Sequence, residues 1–262
     1  MKAATTPLAH QYDSLFYQYQ REGSLRSARI VLPMVVRACQ AKSLLDVGCG
    51  AGAWLSAAKQ GGLDDFHGVD GDYVDRSLLM VEATRFSPRD ISKAFDLGRR
   101  FDLVQCLEVA EHVPGASSQT LVDNIVRHGN LVLFSAAVPG QGGEDHINEQ
   151  SYGYWRDLFA ARGYRLFDFI RPRIADNLDI EPWYRYNVLL FVHDSQVEQL
   201  PAEVKGSRIA DDKEVPDYSP LSYRIRKGVL RHLPNVVVSK MAVWKHSRAV
   251  RALQQQQGRT AG

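Results

Sequence analysis

The stretch Glu108-Val-Ala-Glu111-His112 sets two carboxylates and an imidazole at positions i, i+3 and i+4, which share one face of a helical turn. A second imidazole, His146, stands in a polar, glycine-bearing loop, 138–150. Glu108, Glu111, His112 and His146 can hold a hard divalent ion, and such an ion lowers the pKa of a hydroxyl bound to it. The same residues also read as a hydrogen-bonded cluster that orients a turn, with His112 or His146 as a metal-free general base. Both readings make His112 and His146 the candidate catalytic groups. Glu144 and Asp145 read as solvated loop charges, while Asn148 and Gln150 either touch substrate hydroxyls or brace the loop.

A second constellation lies nearer the start. Leu44 to Val47 reads as a buried strand, Gly48-Cys49-Gly50-Ala51-Gly52 as a turn, and Ala53 to Lys59 as a helix. A strand led through glycines into a helix exposes bare backbone and a helix N-terminus to a ligand. Dehydrogenases share that glycine spacing, but Asp46 argues against a dinucleotide. A carboxylate there repels a pyrophosphate and attracts an ammonium or sulfonium. Asp70 ends a second strand, 66–70, and lies 20 residues past Gly50, where an acid meets ribose hydroxyls; its other reading is a turn cap with Gly71 and Asp72.

The run L-D-V-G-C-G-A-G resembles the first motif of class I S-adenosylmethionine (SAM) dependent methyltransferases, a likeness that covers residues 40–193. It implies an α/β, doubly wound, seven-stranded Rossmann-like sheet with N-terminal helices and a basic C-terminal extension. It also implies SAM as cofactor, held by Asp46, Gly48, Cys49, Gly50, Asp70, Asp90, Ile91 and Leu107. Asp90-Ile91 falls where such enzymes hold adenine, and it also reads as a cap before Lys93. The E-x-x-E-H element with a later loop histidine resembles two Mg²⁺-dependent groups: small-RNA 2′-O-methyltransferases and ubiquinone-biosynthesis O-methyltransferases. The aromatic signature that surrounds the loop histidine in the RNA group is absent here.

The expectation is O-methylation of a sugar hydroxyl, on a glycan or glycolipid precursor met at the membrane face. It rests on the vicinal-diol chemistry of both groups, on the aromatic residues Tyr152, Tyr154, Trp155 and Phe159 beside the loop, and on the tail. RNA ribose, a catechol, and a non-catalytic SAM-binding subunit are the alternatives.

The elements that must position these groups follow from pattern. Two helical stretches over 8–39 form an N-terminal cap, whose Tyr12 or Tyr17 is a candidate lid over the cofactor. The methyltransferase domain occupies 40–194, with further strands at 82–86, 101–107 and 130–135 and a closing hairpin at 165–170 and 187–193. A polar, proline-containing linker spans 195–220 and a basic tail 221–262.

Charge is split between body and tail. All 30 acids precede residue 218 with 23 of the 32 lysines and arginines, which leaves −7 on the body and +9 on the tail. The tail reads as a peripheral contact with an anionic membrane, as a fold-back onto the acidic body, or, less favoured, as a nucleic-acid contact. No run of about 18 apolar residues is present. Cys39, Cys49 and Cys106 lack metal-type spacing and read as reduced packing residues, which points to the cytoplasm.

Overall fold

The computed structural model describes residues 7–234 together with 237, 238, 240 and 241. Residues 242–262, Trp244 among them, and the side chains of Tyr12 and Tyr17 lie outside the described residues. Seven strands form one sheet in the order β3-β2-β1-β4-β5-β7-β6. They are β1 (Ser43–Val47), β2 (Asp65–Asp70), β3 (Phe86–Pro88), β4 (Leu103–Leu107), β5 (Leu131–Ser135), β6 (Tyr164–Phe167) and β7 (Leu189–His193). The first five run parallel; β7 pairs antiparallel with both β5 and β6. Strand order reverses between β1 and β4, which opens a crevice beyond their carboxyl ends.

All five residues of β1, β4 and β5 are buried, because helices cover both faces. On one face α1 (Pro7–Cys39) contributes Ala28, Val31, Leu32 and Val35, and α2 (Ala53–Gln60) contributes Trp54, Leu55 and Ala58. On the other, α3 (Ser118–His128) brings Leu121, Val122 and Ile125, and α4 (Tyr152–Ala160) brings Trp155 and Phe159. Phe159 stacks on Phe191 at 4.2 Å, and each such ring contributes about 1.5–3 kcal/mol by its burial. Trp155 and Phe159 are therefore core, not sugar-stacking residues.

Several elements differ from expectation. Residues 8–39 form one helix rather than two stretches, running through Pro33. The third strand starts at Phe86, because Ala83–Arg85 winds into a 3₁₀ turn and pairing with β2 begins at Gly68 and Phe86. Residues 195–220 are laid on the domain rather than left as a free linker. They carry α7 (Asp194–Val197) and α8 (Ala202–Lys205), and Leu200 and Val204 enter the core. Asp168 N–H donates to the Ser207 carbonyl and Ile209 N–H to Leu166, so this segment covers the edge left open by β6.

Between β6 and β7 lie α5 (Arg171–Ile174) and α6 (Pro182–Asn187). Arg171 is buried there against Asp168 at 2.7 Å. The described part of the tail folds back as α9 (Leu221–Leu230), with the Tyr223 ring 5.6 Å from Tyr186.

Candidate active site

The cradle after β1 is built by glycines in the left-handed region. Gly48 has φ +83°, and its N–H and that of Cys49 both donate to the Val69 carbonyl. A Cβ on Gly48 would meet Val109 Cγ2 at 2.4 Å, so only glycine fits between the cradle and the chain leaving β4. Gly50 has φ +52° and no atom within 4 Å of where its Cβ would stand. That bare surface opens toward the crevice.

Two acids flank it. Asp46 is buried. Burial raises its carboxyl to about 7, the neighbouring Gln105 opposes this, and repulsion from Asp70 adds to it. A cation beside Asp46 relieves that penalty, which is the fit an ammonium or sulfonium requires. Asp70 accepts the Gly50 N–H through Oδ2 and the Gly71 N–H through Oδ1, each at 2.7 Å. Tyr73, whose ring is exposed, also donates its hydroxyl to Oδ1. Asp90 is engaged as a cap: it accepts from Ser92 N and Oγ and pairs with Lys93 at 2.9 Å, contacts that pull it down to about 2. Ile91 packs against the lower core, and Leu107 is buried at the end of β4.

The acids after β4 are divided. Glu108 has φ +55°, and the short 3₁₀ turn Ala110–His112 follows it, so the three polar residues do not share one face. Glu111, His112 and His146 each offer a ligand atom, all within 4.8 Å of one another. Glu108 stands apart from that group and accepts hydrogen bonds from Asn187 and Gln141. Burial raises Glu108 to about 7.

The loop carrying His146 is pinned to the same turn. Ile147 and Asn148 N–H both donate to the Glu111 carbonyl, and the Asn148 amide donates to Ala110 O and Ser118 Oγ. Asn148 thus braces the loop, and Gln150 donates to Asn148 in turn. The imidazoles lie 5.0 Å apart, edge to face. His112 Nδ1 is 3.2 Å from the Asp145 carbonyl, and His146 Nδ1 is 2.8 Å from Glu149 Oε1. Both partners are acceptors, so each Nδ1 carries a proton and each Nε2 is left facing away from them. Burial and the neighbouring His146 lower the His112 pKa, which keeps that ring neutral.

Glu111 is the outlier. It is 1% exposed, and its Oε2 has no hydrogen-bond partner. Burial, then the charge of Glu108, push its carboxyl well above the usual range. A buried carboxyl with one unsatisfied oxygen, grouped with two imidazoles, fits a divalent cation, with Glu149 as the carboxylate behind one ligand.

Sequence reasoning missed Glu149, Gln141 and Asn187. Glu149 had a signal, since it lies three residues after His146. Beside the loop, a cavity of about 240 Å³ is lined by His146 and Glu149 and, from the tail, by Leu230, Arg231, Leu233 and Val238.

Comparison with known proteins bears on the family and the fold. Residues 17–169 match the family described as a methyltransferase domain. The ubiquinone biosynthesis O-methyltransferase of Coxiella burnetii is 27% identical over 193 residues, 69% of each chain. That of Methylococcus capsulatus is 29% identical over 129 residues, 44% of this chain and 54% of the relative. The fold resembles that of the sugar N-methyltransferase KedS8 from Streptoalloteichus, with TM-score 0.53 and 20% identity over 69% of this chain and 92% of that one. It also resembles Streptomyces venezuelae DesVI, with TM-score 0.51 and 16% identity over 71% and 98%. The match spans more than half the sequence, so this chain belongs to the methyltransferase domain family.

Proposed function

We propose that this protein methylates a hydroxyl of a sugar or glycan acceptor, with Glu111, His112 and His146 preparing that hydroxyl. The observation that carries the reading is the buried Glu111 carboxyl, which keeps one oxygen unpartnered and offers a ligand atom within 4.8 Å of those of two imidazoles. S-adenosylmethionine is the methyl donor and supplies an already activated methyl on a sulfonium. The protein's own task is to bring donor and acceptor into line and to handle one proton.

Asp46 supplies negative charge beneath the cradle, and the bare Gly50 surface lets a ligand lie against backbone. Asp70 ends β2 as the ribose acceptor, and the Asp90–Ile91 turn borders the adenine. The cradle and the acceptor side adjoin where Val109 packs on Gly48.

Glu111, His112 and His146 would hold a divalent cation, Mg²⁺ by the chemistry of the acceptor, and such an ion lowers the pKa of a bound hydroxyl. Where no ion is held, Nε2 of His112 or His146 takes the hydroxyl proton.

A second reading is an acceptor like that of the two curated relatives, both named for ubiquinone biosynthesis and O-methylation. One assay series separates the two: labelled SAM offered with glycan, catechol and RNA acceptors, each with EDTA and with Mg²⁺ restored. Methylation of the glycan, lost with chelator and recovered with Mg²⁺, is the expected result. Transfer to the catechol alone overturns the glycan assignment. Indifference to EDTA leaves the histidines as bases.

A further inference from the structure

Helix α9 presents two unlike faces. Its inner face joins the body: Lys227 Nζ meets Asp217 at 2.7 Å, Leu230 is buried, and Leu230 and Arg231 line the cavity that contains His146. Its outer face is apolar. Leu221, Ile225 and Val229 recur every fourth residue and are 70%, 59% and 60% exposed. On a helix that spacing makes one narrow stripe. Leu233, Val237 and Met241 continue the exposed aliphatic series. Arg224 and Arg226 are exposed on either flank of the stripe, and the Arg226 guanidinium lies 5.6 Å over the Tyr223 ring.

A solvated helix face is ordinarily polar, so this stripe suits a docking partner, and charge selects which. No acid follows Asp217, and the segment from Tyr218 onward carries +9. A second copy would bring the same cations against each other. The described stripe is aliphatic and lacks the aromatic platforms on which bases stack. Aliphatic side chains bordered by arginines match the boundary between acyl chains and phosphate headgroups.

We propose that the outer face of α9 docks this protein on an anionic lipid bilayer, with Leu221, Ile225 and Val229 entering the acyl boundary and Arg224 and Arg226 meeting headgroup phosphates. The inner end of the same helix lines the cavity beside His146, so docking holds that cavity one helix diameter, ~10 Å, from the lipid surface. The consequence that the acceptor is lipid-linked rests on the methyl-transfer reading; the docking itself does not.

Vesicle binding tests it without any acceptor. The full chain is sedimented with vesicles of phosphatidylcholine alone and with about one third phosphatidylglycerol, and calorimetry with SAM reports the fold of each variant. The intact protein should bind only the anionic vesicles. Ile225→Ser with Val229→Ser, which keeps every charge, should weaken binding at least about tenfold while SAM affinity stays unchanged. Arg224→Gln with Arg226→Gln should weaken it as well.

Failure of the intact protein to bind anionic vesicles overturns the proposal. So does unaltered binding of the serine variant, which would reduce the contact to net charge. A dimer that the serine variant converts to a monomer in sedimentation velocity also overturns it, as does RNA binding that requires Ile225 and Val229. None of these results touches the methyl-transfer assay, so the two readings fail separately.

Discussion

Nδ1 of His146 lies 2.8 Å from Oε1 of Glu149, and the same carboxylate accepts the N–H groups of Gly140 and Gly142. Glu149 therefore fixes both the tautomer of the imidazole and the path of the loop that carries it. Burial opposes its ionisation, but His146 and the two amides hold its pKa below the ordinary value, so it stays charged.

Glu149→Gln should lower kcat about 10- to 100-fold by loosening His146. Loss of the charged acceptor should also cost about 1–3 kcal/mol of stability. SAM affinity, measured by calorimetry, should not change, because the cradle lies on other strands. A variant with normal kcat would show that His146 needs no carboxylate behind it.

Glu111 is a buried carboxyl that stability does not reward. Its Oε2 is buried without a partner, and burial with the Glu108 charge pushes its pKa up. Glu111→Met should raise the stability of the metal-free protein, by about 1–3 kcal/mol, and abolish turnover. Mg²⁺ should raise the melting temperature of the parent chain and leave that of the variant unmoved. A destabilised variant, or one that Mg²⁺ still stabilises, counts against the cation site.

The pH dependence of SAM binding should report Asp46. Its folded pKa of about 7 lies above the unfolded value of 3.8. The group's contribution to stability is therefore full below about pH 4 and is lost as pH rises through about 7. A cationic donor prefers the ionised carboxylate, so SAM affinity should rise with pH through about 7, with proton uptake by buffer below it. Calorimetry in buffers of different ionisation heat measures this. Asp46→Asn should bind weakly and show a flat profile; a retained slope would assign the proton to another group.

The two cradle glycines should fail differently when changed to alanine. At Gly48 the new Cβ would stand 2.4 Å from Val109 in a positive-φ conformation, so Gly48→Ala should destabilise the fold by several kcal/mol. At Gly50 the new methyl meets nothing, and only about 1–2 kcal/mol of left-handed strain applies. Gly50→Ala should fold and lose SAM affinity, because the methyl fills the surface the ligand needs. Denaturant melts and SAM titration of both variants separate the two effects.

The sequence by itself determined the parts governed by local chemistry. A run of apolar residues into glycines that must take positive φ can form only a buried strand and a tight turn, so β1, the cradle and Asp46 were legible, as was Asp70 at the end of β2. The seven-stranded sheet followed from the alternation of such units and from the motif's resemblance. Tertiary structure decided what depends on chain direction and distant partners. The positive φ of Glu108 breaks the helical face that spacing alone assumes, and sends that carboxylate to Asn187 and Gln141. Residues 195–220 look like a linker by composition, yet they pack, because β6 leaves backbone groups that their own backbone satisfies. The fold-back of α9 depends on long-range contacts such as Tyr223 with Tyr186, which no spacing within the tail encodes. Local conformational preference acts over a few residues and is written in sequence. The pairing of Glu111 with His146 is set by two loops meeting over the sheet, and exists only once the sheet has formed.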